Sequence, residues 1–145
     1  MDKIDEKILK NLMVDARLSA RQLGLKLGMS TVTVLARIKK LEKEKIIKGY
    51  TARINHDRLG YDLTAVIEVS GRKDKLIEIE NKLSKKENVC AVYDITGGTD
   101  IIIIAKFKNR GEVSDFVKGL YSIPHIENTI THIALNTIKE DFRLT

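Results

Sequence analysis

Cysteine occurs once in this chain, at Cys90, and proline once, at Pro124. A lone cysteine excludes an internal disulfide, and with it the stapled scaffolds of small secreted proteins. No apolar run approaches the roughly 20 residues that span a bilayer. The opening Met-Asp-Lys-Ile-Asp-Glu-Lys carries acids and no apolar signal core, so the reading is a cytoplasmic protein with no membrane partner. His56, His125 and His132 form no metal-spaced set with Cys90 or with one another, so no metal and no cofactor is expected. Gly97-Gly98 lacks the lysine that follows in a phosphate-binding loop. Asp94 and Asp100 bracket that turn and are read as turn residues or ligand contacts rather than an acid/base pair. No nucleophile is paired with a base, and the chain reads as a non-enzyme.

What the sequence does have is charge, unevenly placed. Residues 1–62 hold 14 Lys+Arg against 8 Asp+Glu, whereas residues 63–145 hold 12 of each. The whole excess of +6 therefore lies in the first half. A basic half attracts a polyanion, and such binding releases counterions and weakens with salt. The neutral half needs another task.

Within the basic half, Ser19 to Glu42 organises the rest. Ser19 with Gln22 three residues on is a capping box that starts a helix. Leu23 and Leu27 form its buried stripe, and Gly28 is its left-handed stop. Ser30 caps a second helix at once. A helix stopped by glycine and restarted within three residues turns sharply, which places a helix-turn-helix over 23–42. At about 100° per residue, Val34, Ile38 and Leu41 share one side of the second helix, with Leu35 beside them. Val32, Thr33, Ala36, Lys39, Lys40 and Lys43 share the other side, and Arg37 lies on the flank. A recognition helix presents its N-terminal residues to base edges and its cations to phosphates. Thr31, Val32, Thr33 and Ala36 are thus candidates to face bases, Arg37, Lys39, Lys40 and Lys43 candidates for phosphate, and Ser30 at the cap is a further DNA-binding candidate. An amphipathic surface helix with solvated lysines is the plainer alternative for the helix alone. The turn and the charge split favour double-stranded DNA as the partner.

Ahead of this unit, Asp2 caps a first helix with Ile4, Ile8 and Leu12 on one face, which completes a three-helix core. After it, Ile46–Ile54 reads as a strand, a Gly49 turn and a second strand, a wing on which Lys48 and Arg53 reach phosphate or merely close the core. Residues 1–54 thus form a winged helix-turn-helix domain and residues 55–62 a linker.

From Leu63 the periodicity changes. Strands are expected at 63–70, 89–96, 101–107 and 126–139, and helices at 73–86 and 111–121. The order β-α-β-β-α-β gives residues 63–145 a ferredoxin-like fold, so the chain is α+β. Both helices cover one sheet face. Ile101-Ile102-Ile103-Ile104 is apolar on both faces, and so expects cover on the second face too. The simplest cover is another copy, which predicts a homodimer through this domain and two recognition helices on successive half-sites.

These residues resemble the Lrp/AsnC, or feast/famine, transcription regulators. The resemblance rests on Ile4-Asp5-x-x-Ile8-Leu9, Asp15-Ala16-Arg17, Gly28-Met29-Ser30, Val34-x-x-Arg37-Ile38-x-x-Leu41-Glu42, Ile46-Ile47-x-Gly49-Tyr50 and Leu59-Gly60-Tyr61, in this order across nearly the whole chain. It implies a sequence-specific prokaryotic DNA-binding regulator, dimeric at base and assembled into octamers or larger discs. It also implies that the second domain, called RAM, binds an amino acid as effector. The loop that carries this in the family reads Gly-Asp-aromatic-Asp. Here Gly97, Gly98, Thr99 and Asp100 keep the first and last residue, and Thr129 and Thr131 match the other wall of the pocket. The competing reading is a small-molecule sensor acting on a protein partner, with the winged helix as a docking surface.

Overall fold

A computed structural model describes residues 1–144, which fall into two compact units. The first holds residues 1–53 together with the segment from Asp141 onward, and the second holds Ile54–Glu140.

The first unit has three helices, α1 (Lys3–Val14), α2 (Ala20–Leu27) and α3 (Thr31–Lys43). Each start is capped by its own sequence. Asp2 Oδ1 accepts the N–H groups of Ile4 and Asp5 at 2.8 and 2.9 Å, and Asp5 Oδ2 accepts that of Asp2 at 3.0 Å. Ser19 and Gln22 form the expected reciprocal box, with bonds of 3.2 and 2.8 Å. Ser30 Oγ accepts the Thr33 N–H at 3.1 Å. Gly28 ends α2 in the left-handed region at φ 67°. Ile8, Leu12, Leu23, Val34 and Leu41 close the core, with Leu27, Met29, Ile38 and Ile47 packed on it. Leu35, placed beside that core by periodicity, is exposed instead.

The wing does not form as a hairpin in this chain. Residues 46–54 carry no strand. The Ile46 and Ile47 N–H groups both turn back to the Leu41 carbonyl, at 2.9 and 3.1 Å, and satisfy the end of α3. The left-handed residue after α3 is Lys45, φ 59°, and Gly49 adopts no positive φ that would reverse the chain there.

The second unit is a four-stranded antiparallel sheet in the order β2-β3-β1-β4, with β1 Leu63–Gly71, β2 Val89–Asp94, β3 Ile101–Phe107 and β4 Ile126–Ile133. Helices α4 (Leu76–Leu83) and α5 (Arg110–Tyr121) supply Ile79, Leu83 and Leu120 to a core shared with Ile67, Val69, Ile101, Ile103 and Phe107. The Phe116 ring meets Phe107 edge-on at 5.1 Å. Burying such side chains contributes about 1.5–3 kcal/mol each before ordering costs. Gly71 is required at the end of β1, because a Cβ there would stand 2.9 Å from the His125 carbonyl oxygen and 2.5 Å from Ile79 Cδ1.

Three elements differ from expectation by more than one residue. Helix α4 starts later than 73 because residues 73–75 form a separate 3₁₀ turn, and it ends at Leu83 rather than 86, where the Lys86 N–H turns back to the Leu83 carbonyl at 3.1 Å. Strand β2 ends at Asp94, where Ile95 N–H bonds across the loop to Asp100 O at 2.9 Å. Strand β4 stops at Ile133, not Lys139. Its partner β1 begins at Leu63, and beyond the Ala134 N–H bond to Thr64 O, 2.9 Å, no strand remains to pair with.

Candidate nucleic-acid interface and ligand loop

Helix α3 divides as its periodicity requires. Val34 and Leu41 are buried, while Thr31, Val32, Thr33, Ala36, Lys39, Lys40 and Lys43 are all exposed on the opposite side. Val32 is 76% exposed, unusual for a β-branched hydrophobe with a core one residue away. Ser30 and Thr33 hydroxyls lie 2.8 Å apart, so the cap also orients the first exposed threonine. The Lys40 ammonium stands 3.9 Å from Glu44, a loose contact one turn away. This face presents small, hydroxyl and methyl groups near the helix N-terminus and cations further on, a chemistry suited to base edges and phosphates in that order.

Arg37 does not belong to that row. Its guanidinium donates to Asp2 at 2.7 Å and to Asp5 at 2.8 Å, which ties α3 to the first turn of α1. Asp5 is only 2% exposed, and this cation neutralises it. The Arg37 contact, with the Asp5 N–H behind it, lowers the Asp2 carboxyl from its ordinary 3.8 to about 2. Asp5 is lowered as well, first by the Asp2 N–H and then by Arg37. Carboxyls depressed by folding stabilise the fold above their unfolded pKa, and that contribution is lost as pH falls through the folded value. Arg37→Ala is therefore expected to lower the melting temperature at neutral pH and to flatten its decline between pH 3.8 and about 2, as read by thermal melts across that window.

Lys48 is exposed on the segment after α3. Arg53, 63% exposed, stands 3.7 Å from the Asp141 carboxylate.

In the second unit, the structure distributes the six ligand candidates over both faces of the sheet. Gly97 (φ 118°) and Gly98 form the open tip of the β2–β3 loop. Thr99 donates its hydroxyl to Glu68 at 3.1 Å, and Glu68 contacts His132 Nε2 at 2.8 Å, all on the face without helices. Asp100 faces the other way. Its carboxylate accepts the buried Gly71 N–H at 3.1 Å and the Lys73 ammonium. Those two donors, Lys73 first, hold its carboxyl below the usual range. Thr129 and Thr131 pair with Val69 and Ile67, on the helix side, where the Thr129 hydroxyl meets the Tyr121 hydroxyl at 3.1 Å. Glu68, Lys73, Tyr121 and His132 also belong to this region, and no motif in the sequence marks them. Alternation along β1 and β4 is the only signal that makes Glu68 and His132 neighbours.

Among the described residues no group of three His, Cys, Asp or Glu is placed to hold a metal, and no helix is long and apolar enough to cross a membrane.

Comparisons with known proteins agree over the full length. The family model for the AsnC-type helix-turn-helix domain matches residues 1–42, and that for the Lrp/AsnC ligand binding domain matches residues 64–144. An uncharacterised HTH-type transcriptional regulator of Pyrococcus abyssi is 46% identical over 99% of this chain and 98% of its own. The HTH-type transcriptional regulator Ptr1 of Methanocaldococcus jannaschii is 32% identical, covering 99% and 98%. Among solved structures, a transcriptional regulator of Neisseria meningitidis in complex with L-Met superposes with a TM-score of 0.92 at 30% identity, over 100% of this chain and 96% of that one.

Proposed function

The chain belongs to the Lrp/AsnC family, a transcriptional regulator with a helix-turn-helix and a ligand-binding domain, and from that premise we propose how it reads DNA. Helix α3 enters the major groove with Thr31, Val32, Thr33 and Ala36 toward base edges, Ser30 holding its N-terminus. Lys39, Lys40, Lys43 and Lys48 take phosphates. The Ala36 methyl and the Val32 side chain suit thymine methyl groups. Arg37 is left out of the set, because its charge is already spent on Asp2 and Asp5. The observation that carries the reading is the exposed face of α3, apolar and hydroxylic at its start and cationic at its end.

The test is fluorescence anisotropy of the full chain on its own upstream DNA and on a scrambled duplex, at several salt concentrations. Lys39→Ala and Lys40→Ala are each expected to weaken binding to both duplexes alike. Each should also flatten the slope of log K against log[salt] by about 0.9 for every phosphate that the variant no longer engages. Thr33→Ala is expected to narrow the preference for the native sequence with an unchanged slope. Unchanged slopes in both lysine variants would defeat this assignment.

The second unit is assigned to assembly and effector binding. Two copies join through the sheet face that α4 and α5 leave bare, and dimers of this kind are the building block of an octamer. An amino acid bound at the Gly97–Gly98 loop is the effector, as the L-Met complex of the Neisseria relative suggests. With Asp100 neutralised by Lys73 and the Thr99 proton given to Glu68, the backbone N–H groups of that loop hold its carboxylate, and the Thr99 hydroxyl oxygen can still accept. The protein acts in the cytoplasm and catalyses no reaction.

A further inference from the structure

The chain leaves the helix-turn-helix unit after Arg53 and rejoins it at Asp141. The two crossings meet in space, since Arg53 Nη2 stands 3.7 Å from Asp141 Oδ2. Asp141 does not depend on that contact for its position. Arg143 grips it with a two-pronged bond, Nη2 to Oδ2 at 2.7 Å and Nε to Oδ1 at 2.9 Å, and its own N–H bonds Oδ1 at 3.1 Å. The same guanidinium donates Nη1 to the Met13 carbonyl at 2.9 Å. Helix α1 has no basic residue in its last turn. Arg143, 130 positions away in sequence, supplies the cation that the negative end of the helix lacks. The returning segment is therefore anchored on α1 through Arg143, and the anchored carboxylate is held against Arg53, an exposed cation at the edge of the basic DNA-binding unit.

We propose that Asp141–Arg143 is a clasp on the DNA-binding unit that withholds Arg53 from the phosphate backbone, so that opening it strengthens DNA binding. The inference rests on the DNA-binding reading above. It makes Asp141 and Arg143 positioning residues for the interface. The clasp is weak by its geometry: Arg53 is largely solvated and its contact is longer than a hydrogen bond, and such exposed pairs contribute little. A weak contact is one that a change elsewhere in the chain can open. Residues 134–140, which lead into it, belong to the second unit, so the segment is a covalent route from the ligand-binding domain to the cation that the clasp withholds.

The experiment titrates a mixed-sequence duplex of about three helical turns with the full-length wild type, Asp141→Asn, Asp141→Glu, Arg53→Ala and the Arg53→Ala/Asp141→Asn double variant, over a salt series. Asp141→Asn is expected to bind about two- to fivefold tighter at low salt. Its salt slope should steepen by about 0.9 per protomer as one more phosphate is engaged. Asp141→Glu, which keeps the charge, should behave as wild type, and the gain should vanish in the Arg53→Ala background. A chain ending at Glu140 should reproduce the gain, which covers the case in which Asp141→Asn folds poorly. Affinity unchanged in Asp141→Asn and in the shortened chain overturns the clasp while leaving the DNA reading intact. So does an equal gain with Arg53 absent, which would mark a general charge effect. Wild type without salt-sensitive binding overturns both.

Discussion

Gly24→Ala is expected to lower the melting temperature by roughly 5–15 °C and to weaken DNA binding in parallel, although alanine is the better helix former. Gly24 lies inside α2, with ordinary helical backbone. A Cβ there would stand 2.6 Å from the Met29 carbonyl oxygen and 3.6 Å from the Met29 and Ser30 carbonyl carbons. These are backbone atoms of the turn, held by the Met29 N–H bond to the Gly24 carbonyl at 2.9 Å, and no rotamer change can move them aside. The favourable propensity contributes about 0.5–1 kcal/mol. Forcing apart a packed contact costs about 1–3 kcal/mol, so the clash wins. The displaced residues are the ones that lead into the Ser30 cap of α3, so the error is passed to the orientation of the recognition helix. Thermal melts and anisotropy on the same samples check it. A variant that melts with wild type would mean that the turn yields without cost.

Gly24 also shows where sequence reading stops. Gly28 is legible, because a glycine after the last periodic leucine and before a capping serine is a local signal, and its φ of 67° agrees. Gly24 carries no such signal, since its reason is an oxygen five residues away that only the folded turn brings near. The same division runs through the chain. The caps at Asp2, Ser19 and Ser30, the order of strands, and the two-sided exposure of α3 follow from patterns a few residues long. Arg37 has the helix-flank position of a phosphate contact, but its partners lie 32 and 35 positions earlier. Two β-prone runs around a glycine suggest a wing, but strands need a partner, and α3's unsatisfied carbonyls take the first N–H groups instead. The Gly97–Gly98 turn between β2 and β3 is legible by its residues. The division of the ligand candidates between sheet faces is set by the register of β1 against β3 and β4, which no local pattern contains.

A second large effect is expected at Ile104. On the sheet face that carries no helix, Ile104 sits on an inner strand between Val66 of β1 and Ala91 of β2, with Ile102, Tyr93 and Ile130 one pleat away. The polar groups on this face are already matched within the chain. Glu68 is held by His132 and Thr99, and Lys106, only 6% exposed, donates to Thr64 at 3.0 Å and meets Glu140 at 3.1 Å. A face that is apolar at its centre and internally paired at its charges can be covered by a second copy without stranding an ion. Ile104→Glu places an unpaired carboxylate at that centre. Alternation keeps it away from the helix-side core, where Ile103 and Ile67 are fully buried, so the protomer is expected to keep its fold. Assembly then fails, because covering the new charge costs several kcal/mol with no partner to offset it. Two recognition helices no longer act as one ligand, and DNA affinity falls by about 10²- to 10⁴-fold. Light scattering reads the mass and anisotropy the affinity. The two must move together: a variant that stays assembled moves the dimer contact off this sheet, and one that turns monomeric with undiminished affinity means that one helix-turn-helix suffices to hold the DNA.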